Sequence, residues 1–99
     1  MKVKQIYNKN QFIITGCEGV TFQSYTSTIA NIKDGALTLF KDWNYSQTTR
    51  KYLYLFIEDF LSYFNKETRE NLKKLYNSKN KQAFLQELID KKIIKFMEG

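Results

Sequence analysis

The chain contains no histidine and no proline, a single cysteine and only four glycines among 99 residues. Each shortage removes a class of chemistry or of architecture. Without imidazole there is no Ser-His or Cys-His nucleophile pair and no imidazole acid or base. One thiol without histidine cannot assemble a Cys/His zinc site. A lone Cys17 forms no internal disulfide, which agrees with a reducing compartment. It sits in a Gly16-Cys17-Glu18-Gly19 turn without a neighbouring cation to activate a thiolate. Long apolar runs are missing too: no window approaches the roughly 18 apolar residues that spanning a bilayer requires, and the first residues lack an apolar signal core. The expectation is a protein that stays in the cytoplasm where it is made, with no membrane contact.

A carboxylate-only magnesium site is the one metal chemistry left, with Glu58 and Asp59, or Glu67 and Glu70, as its donors. On a helix, adjacent residues diverge by about 100°, and Glu67 and Glu70 alternate with Lys66, Arg69, Lys73 and Lys74. That pattern reads as a solvated face of surface ion pairs. No catalytic residue, metal or cofactor is expected.

Hydrophobic residues are nonetheless 42% and aromatics 16% of the chain, enough apolar material for one globular domain over residues 1–99. Glycines mark turns only before residue 40, so residues 1–42 read as β-rich and 43–99 as helical. Gln11–Thr15 and Val20–Tyr25 predict a hairpin, with Val20, Phe22 and Ser24 on one side and Thr21, Gln23 and Tyr25 on the other. Ile29–Lys33 and Ala36–Phe40 flank Asp34-Gly35, which suits a two-residue type I′ turn. Lys2–Tyr7 suits an edge strand, its lysines discouraging unwanted pairing.

After Asp42 the period changes. Tyr52, Leu53, Phe56, Ile57, Phe60, Leu61 and Phe64 recur at three- and four-residue spacing and predict a helix from about 47 to 64, capped by Ser46. Together with Trp43 and Tyr45, the aromatics of this region are expected to fasten that helix to the sheet. Asn65 predicts the cap of a second helix, Lys66 to Tyr76, and a third runs from about Asn80 to Asp90. Residues 92–97 read either as a frayed continuation or as a last strand; the pair Ile93-Ile94 favours strand. The fold class is therefore α+β: a small antiparallel sheet over about residues 2–40, then three helices and a short C-terminal strand.

Two segments, Phe22-Gln-Ser-Tyr-Thr-Ser-Thr-Ile-Ala30 and Trp43-Asn-Tyr-Ser-Gln-Thr-Thr-Arg-Lys-Tyr-Leu53, resemble a pattern of short proteins from Gram-positive phages and plasmids, FQSY-x-S-x-IA followed by W-(D/N)-YS-x-TT-x-KYL. The resemblance covers roughly residues 11 to 64. It implies a mobile-element accessory protein, a setting in which small proteins counter host defence, as anti-CRISPR proteins do, or regulate genes. It implies no active-site residues and says nothing of the C-terminal third.

Charge points to where contact would occur. Net charge is +6, weighted toward the second half. One candidate is the start of the first helix, where Ser46, Thr48, Thr49, Arg50 and Lys51 crowd free amides and a positive dipole end; capping plus surface charge is the plainer reading. The second is the helical pair from Lys66 to Asp90, with Lys73, Lys74 and Lys79 toward phosphates and Asn80, Lys81 and Gln82 at the start of a recognition-like helix. Any amphipathic helical hairpin without a glycine turn looks alike. Tyr54 and Leu55 fall off the apolar stripe and suit either a protein interface or cover by the later helices. The expected partner is a host protein or nucleoprotein, such as a CRISPR effector, or nucleic acid, and not a small-molecule substrate. A DNA-binding regulator built on residues 66–90 is the alternative.

Overall fold

The fold is seen in a computed structural model, which describes residues 2–5, 11–17, 19–25 and 27–97. Five strands run in chain order across an antiparallel meander: β1 (Lys2–Gln5), β2 (Gln11–Gly16), β3 (Gly19–Ser24), β4 (Ser27–Lys33) and β5 (Ala36–Phe40). Three α-helices follow: α1 (Gln47–Asp59), α2 (Lys66–Lys73) and α3 (Lys81–Asp90). The chain then returns as β6 (Lys95–Met97), parallel to β5. This is the α+β arrangement expected. Both hairpins form, and β1 lies at the sheet edge; residues 6 and 7 of its expected span fall outside the described residues.

The period-2 pattern decides which face of the sheet is buried. Val20 pairs with Ile32 and Ile32 with Leu37; Phe22 pairs with Ala30 and Ala30 with Leu39. All six, with Ile13, are buried on one face. The opposite face carries Thr21, Asn31 and Thr38 in register, where the Asn31 amide donates to Thr21 Oγ1 at 3.0 Å. Between Phe22 and Gln23 the register shifts, so Ile29 is an extra residue on β4. That bulge lets consecutive residues, Ile29 and Ala30, both reach the core.

Two turns depend on glycine. Asp34 and Gly35 both have positive φ (54° and 78°), the left-handed pair of a tight hairpin turn. Gly19 has φ 95°, and a Cβ there would sit 2.1 Å from the Ile32 carbonyl oxygen, so even alanine forces β3 and β4 apart.

The helices cover the apolar face in one layer. Ser46 Oγ accepts from the Thr49 amide at 3.1 Å and caps α1 as expected. Leu53, Phe56 and Ile57 are fully buried, and Phe56 stacks on Phe22 with ring centroids 5.5 Å apart. The helix does not run to residue 64, however. It ends at Asp59; Phe60 leaves helical geometry, and a 3-10 turn, Leu61–Tyr63, follows. The reason lies one step further on, where the Asn65 N–H donates to the Gly35 carbonyl at 3.0 Å while Asn65 Oδ1 caps α2 through the Thr68 amide at 2.9 Å. A straight helix would carry Asn65 past that turn. The break still returns Phe64 to the core and leaves Phe60 half-buried between Phe56 and Tyr63. Tyr45, expected in the core, is instead 79% exposed: Trp43 points inward from the 3-10 turn Lys41–Asn44, and the chain reverses its face before α1 begins.

The second helix also ends early, at Lys73, and continues as a 3-10 turn, Lys74–Asn77, that buries Leu75. Helix α3 buries Leu85 and Leu88 and is capped by Asn80 Oδ1. Ile94 then enters the same core ahead of β6, which settles residues 92–97 as loop and strand.

Phe56→Ala should cost about 3–5 kcal/mol because it leaves a cavity between helix and sheet, and Ser46→Ala about 1 kcal/mol through the lost cap. Phe60→Ala should cost less than Phe56→Ala, since its ring is already part solvated. Urea midpoints rank the three; a wild-type midpoint for Phe56→Ala would contradict the packing described.

Candidate functional site

The crowded start of α1 divides into two faces, because successive residues on a helix are rotated by about 100°. Ser46, Thr48 and Thr49 turn toward the β3–β4 hairpin and line a cavity of about 510 Å³ with Ser24, Tyr25, Ser27, Ile29, Asp42 and Tyr45. Arg50, Lys51 and Tyr54 turn the other way. With Gln47, Leu55, Glu58, Tyr76 and Lys81 they line a groove of about 430 Å³ between α1 and the later helices. The groove joins residues from both regions singled out in the sequence, the helix start and the 66–90 pair.

Its floor is fixed by one hydrogen bond. The Tyr76 hydroxyl, on the 3-10 turn after α2, donates to the Tyr54 carbonyl at 2.8 Å. That carbonyl lies near the C-terminal half of α1, and a phenol donor there locks the later helices against it. Burial raises the Tyr76 phenol well above its ordinary value of 10.0, and the carboxylates of Glu58 and Asp59 raise it further. Tyr54 is half-buried beside the turn that follows α2, as the reading of cover by the later helices expected; burial raises its phenol and the Arg50 guanidinium opposes this. Arg50 is itself held, donating from Nη1 to Asn44 Oδ1 at 2.7 Å. Lys51 Nζ lies 5.5 Å from the Tyr52 ring centroid, in cation–π range. Leu55 is 36% exposed on the rim.

The remaining sequence candidates are placed less favourably. Lys73, Lys74, Lys79 and Gln82 are exposed. Asn80 Oδ1 accepts the Ala83 amide at 3.0 Å as the α3 cap, so its acceptor is committed to the helix, while Lys81 is half-buried toward the groove. Glu58, Asp59, Glu67 and Glu70 are exposed, and among the described residues no group of three or more acidic, thiol or imidazole ligands comes together. Cys17 is exposed on the far turn. No described helix is long and apolar enough to cross a membrane.

Sequence reasoning missed the cavity on the hairpin side. Ser24 is 97% buried, yet its Oγ has no hydrogen-bond partner among the described residues. Its neighbour Tyr25 holds φ 55°, a left-handed conformation that costs a bulky residue about 1–3 kcal/mol; the Gln23 side-chain amide supports it by donating to the Tyr25 carbonyl at 2.9 Å. Alternation placed Ser24 on the inner face, but nothing in the sequence announced that its hydroxyl would be left unpaired.

A family model, described as a family of unknown function (DUF8033), matches residues 1–78. The chain belongs to that family, whose matched segment includes β1 to β5, α1 and α2 but not α3 or β6. Comparison with curated proteins and with solved structures gives no significant match.

The Tyr76 phenol supplies a pH signature. Below pH 10 both folded and unfolded states keep the proton; above it the unfolded chain loses the proton while the folded chain holds it, so stability falls as pH rises past 10. Tyr76→Phe should remove much of that alkaline loss, while costing about 0.5–1.5 kcal/mol at neutral pH for the lost hydrogen bond. Denaturant titrations at neutral pH and above pH 10 measure both.

Proposed function

We propose that the protein acts by binding rather than by catalysis, as an accessory protein of a phage or plasmid that restrains a host defence, in the manner of an anti-CRISPR protein gripping a nuclease effector. The observation that carries the binding reading is the α1–α3 groove, where Arg50, Lys51 and Lys81 meet Tyr54, Tyr76 and the exposed edge of Leu55. Arginine and tyrosine beside a desolvated apolar patch are the residues on which interface energy concentrates. The defence reading is supported by the resemblance of Phe22–Ala30 and Trp43–Leu53 to phage and plasmid proteins.

The groove favours an acidic protein surface with an apolar centre. Phosphate-driven binding to duplex rests on many cations placed along a backbone track. Here three cations surround rings and a leucine, with Glu58 at the margin. A DNA regulator reading residues 66–90 would draw on Lys73, Lys74, Lys79 and Gln82, all of them exposed, without the acceptor of Asn80.

Binding to a purified host nuclease effector, followed by size exclusion and by inhibition of DNA cleavage, tests the proposal. Arg50→Glu or Leu55→Asp should weaken inhibition at least tenfold, about 1.4 kcal/mol, with an unchanged unfolding midpoint. Tight, sequence-specific binding to free duplex that is lost in Gln82→Ala would favour the regulator instead. Metal-dependent nucleic-acid cleavage by the protein itself, abolished in Glu58→Gln, would overturn the non-catalytic reading.

A further inference from the structure

The residues that α1 contributes to the groove are Gln47, Arg50, Lys51, Tyr54, Leu55 and Glu58. Their spacing of three, one, three, one and three draws a single stripe along the helix, on the side away from Leu53, Phe56 and Ile57 in the core. At 1.5 Å per residue that stripe is about 17 Å long, three helical turns. Its chemistry is ordered along the axis: cations in the first half, a ring and a leucine in the middle, a carboxylate at the end. Among the described residues none of Arg50, Lys51, Glu58 and, on the far wall, Lys81 takes part in an ion pair. The fold therefore leaves the groove's charges for a partner to match.

We propose that the groove takes one α-helix of a partner protein, acidic beside Arg50 and Lys51, apolar over Tyr54 and Leu55, and basic beside Glu58. The proposal rests on the groove being the binding face, and it names what lies there. Main-chain groups of α1 are bonded within the helix. The wall therefore offers no free backbone row to an extended peptide, which binds chiefly by main-chain hydrogen bonds to a sheet edge. Spacing argues the same way. A strand repeats its same-face side chains every 6.6 Å or about that, whereas the stripe on α1 repeats each turn, about 5.4 Å. A second helix shares that repeat and sets its own side chains between those of α1.

Two groups in the groove are fixed before any partner arrives. Arg50 uses one of its N–H donors on Asn44 Oδ1, which orients the guanidinium and leaves the rest of its fork for a carboxylate. The Tyr76 ring is held by the bond from its hydroxyl to the Tyr54 carbonyl. Side chains already ordered lose little freedom on binding, and an Arg and a Tyr beside the exposed edge of Leu55 are the anchors that a helical partner's acidic and apolar residues would meet.

Fluorescence anisotropy and amide NMR of the full chain with synthetic peptides test both the shape and the order. The probe is a labelled alanine-based helical peptide with two glutamates, two leucines and one lysine, in that order along one stripe at three- and four-residue spacing. It should bind saturably and shift the amides of Gln47 to Glu58 and of Lys81. Affinity should fall at least tenfold when a central alanine of the peptide becomes proline, which breaks its helix. Glu58→Lys should weaken the peptide several-fold, and a second peptide with glutamate in place of the lysine should recover that loss, a rescue that a merely structural Glu58 does not give. No saturable binding, equal affinity for the proline peptide, or a Glu58→Lys loss without rescue would overturn the proposal. The two readings of the groove fail separately. If Arg50→Glu abolishes inhibition of the effector while no helical peptide binds, the groove is the binding face and its occupant is not a helix. Peptide binding without inhibition of any effector upholds the helix site and removes the defence reading.

Discussion

The stacking of Phe56 on Phe22 is the contact on which the remaining geometry depends, because it sets the rotation of α1 about its own axis. Phe22 is held by its neighbours on β2 and β4, and Leu53 and Ile57 extend the same helical stripe into the same core. Once that stripe faces the sheet, the flanks of α1 have no freedom. One flank must look at the β3–β4 hairpin and the other at the later helices. The hydroxyls of Thr48 and Thr49 and the cations of Arg50 and Lys51, adjacent in the chain, are thereby sent to two different recesses.

The second constraint is the hydrogen bond from the Asn65 N–H to the Gly35 carbonyl. It pins the start of α2 to a sheet turn, and α2 in turn brings the following 3-10 turn and its Tyr76 onto α1. A Cβ on Gly35 would lie 2.9 Å from the Asn65 nitrogen, so glycine serves here both the left-handed turn and the close approach. Sheet, first helix and groove are linked through the Phe22–Phe56 stack, the Asn65–Gly35 hydrogen bond and the Tyr76 hydroxyl; Lys91 and Glu87, 2.8 Å apart, are side chains of 61% and 55% exposure, and a pair so solvated contributes little.

Much of this was legible in the residues. Alternation in Val20–Ser24 and the Asp34-Gly35 dipeptide specified both hairpins, and Ser46, Asn65 and Asn80 each announced a helix start by the affinity of a short polar side chain for unpaired amides. What was illegible is tertiary in origin. The apolar spacing through Phe60, Leu61 and Phe64 fits a continuing helix, and only the distant Gly35 carbonyl makes the break after Asp59 favourable. Tyr45 resembles its aromatic neighbours in composition, yet a 3-10 turn places it outside. The bulge at Ile29 inverts the alternation without any glycine to mark it. For the candidate site, residue types were readable and their grouping was not: charge and hydroxyls stood together in the chain, and the helix period separated them.

The parallel strand β6 bears on the order in which the molecule assembles. Strands β1 to β5 are each paired with a sequence neighbour, so the meander needs only short loops to close. A parallel partner for β5 is different, since the chain must first travel the length of the helical layer before Lys95 can meet Thr38. The entropy of closing so large a loop is recovered only when α1, α2 and α3 are already docked. The final strand is short and largely exposed, and it acts as a latch on a nearly finished structure. A nascent chain on the ribosome would expose the β5 edge until the last helix had emerged, and that edge is where an immature molecule would meet another.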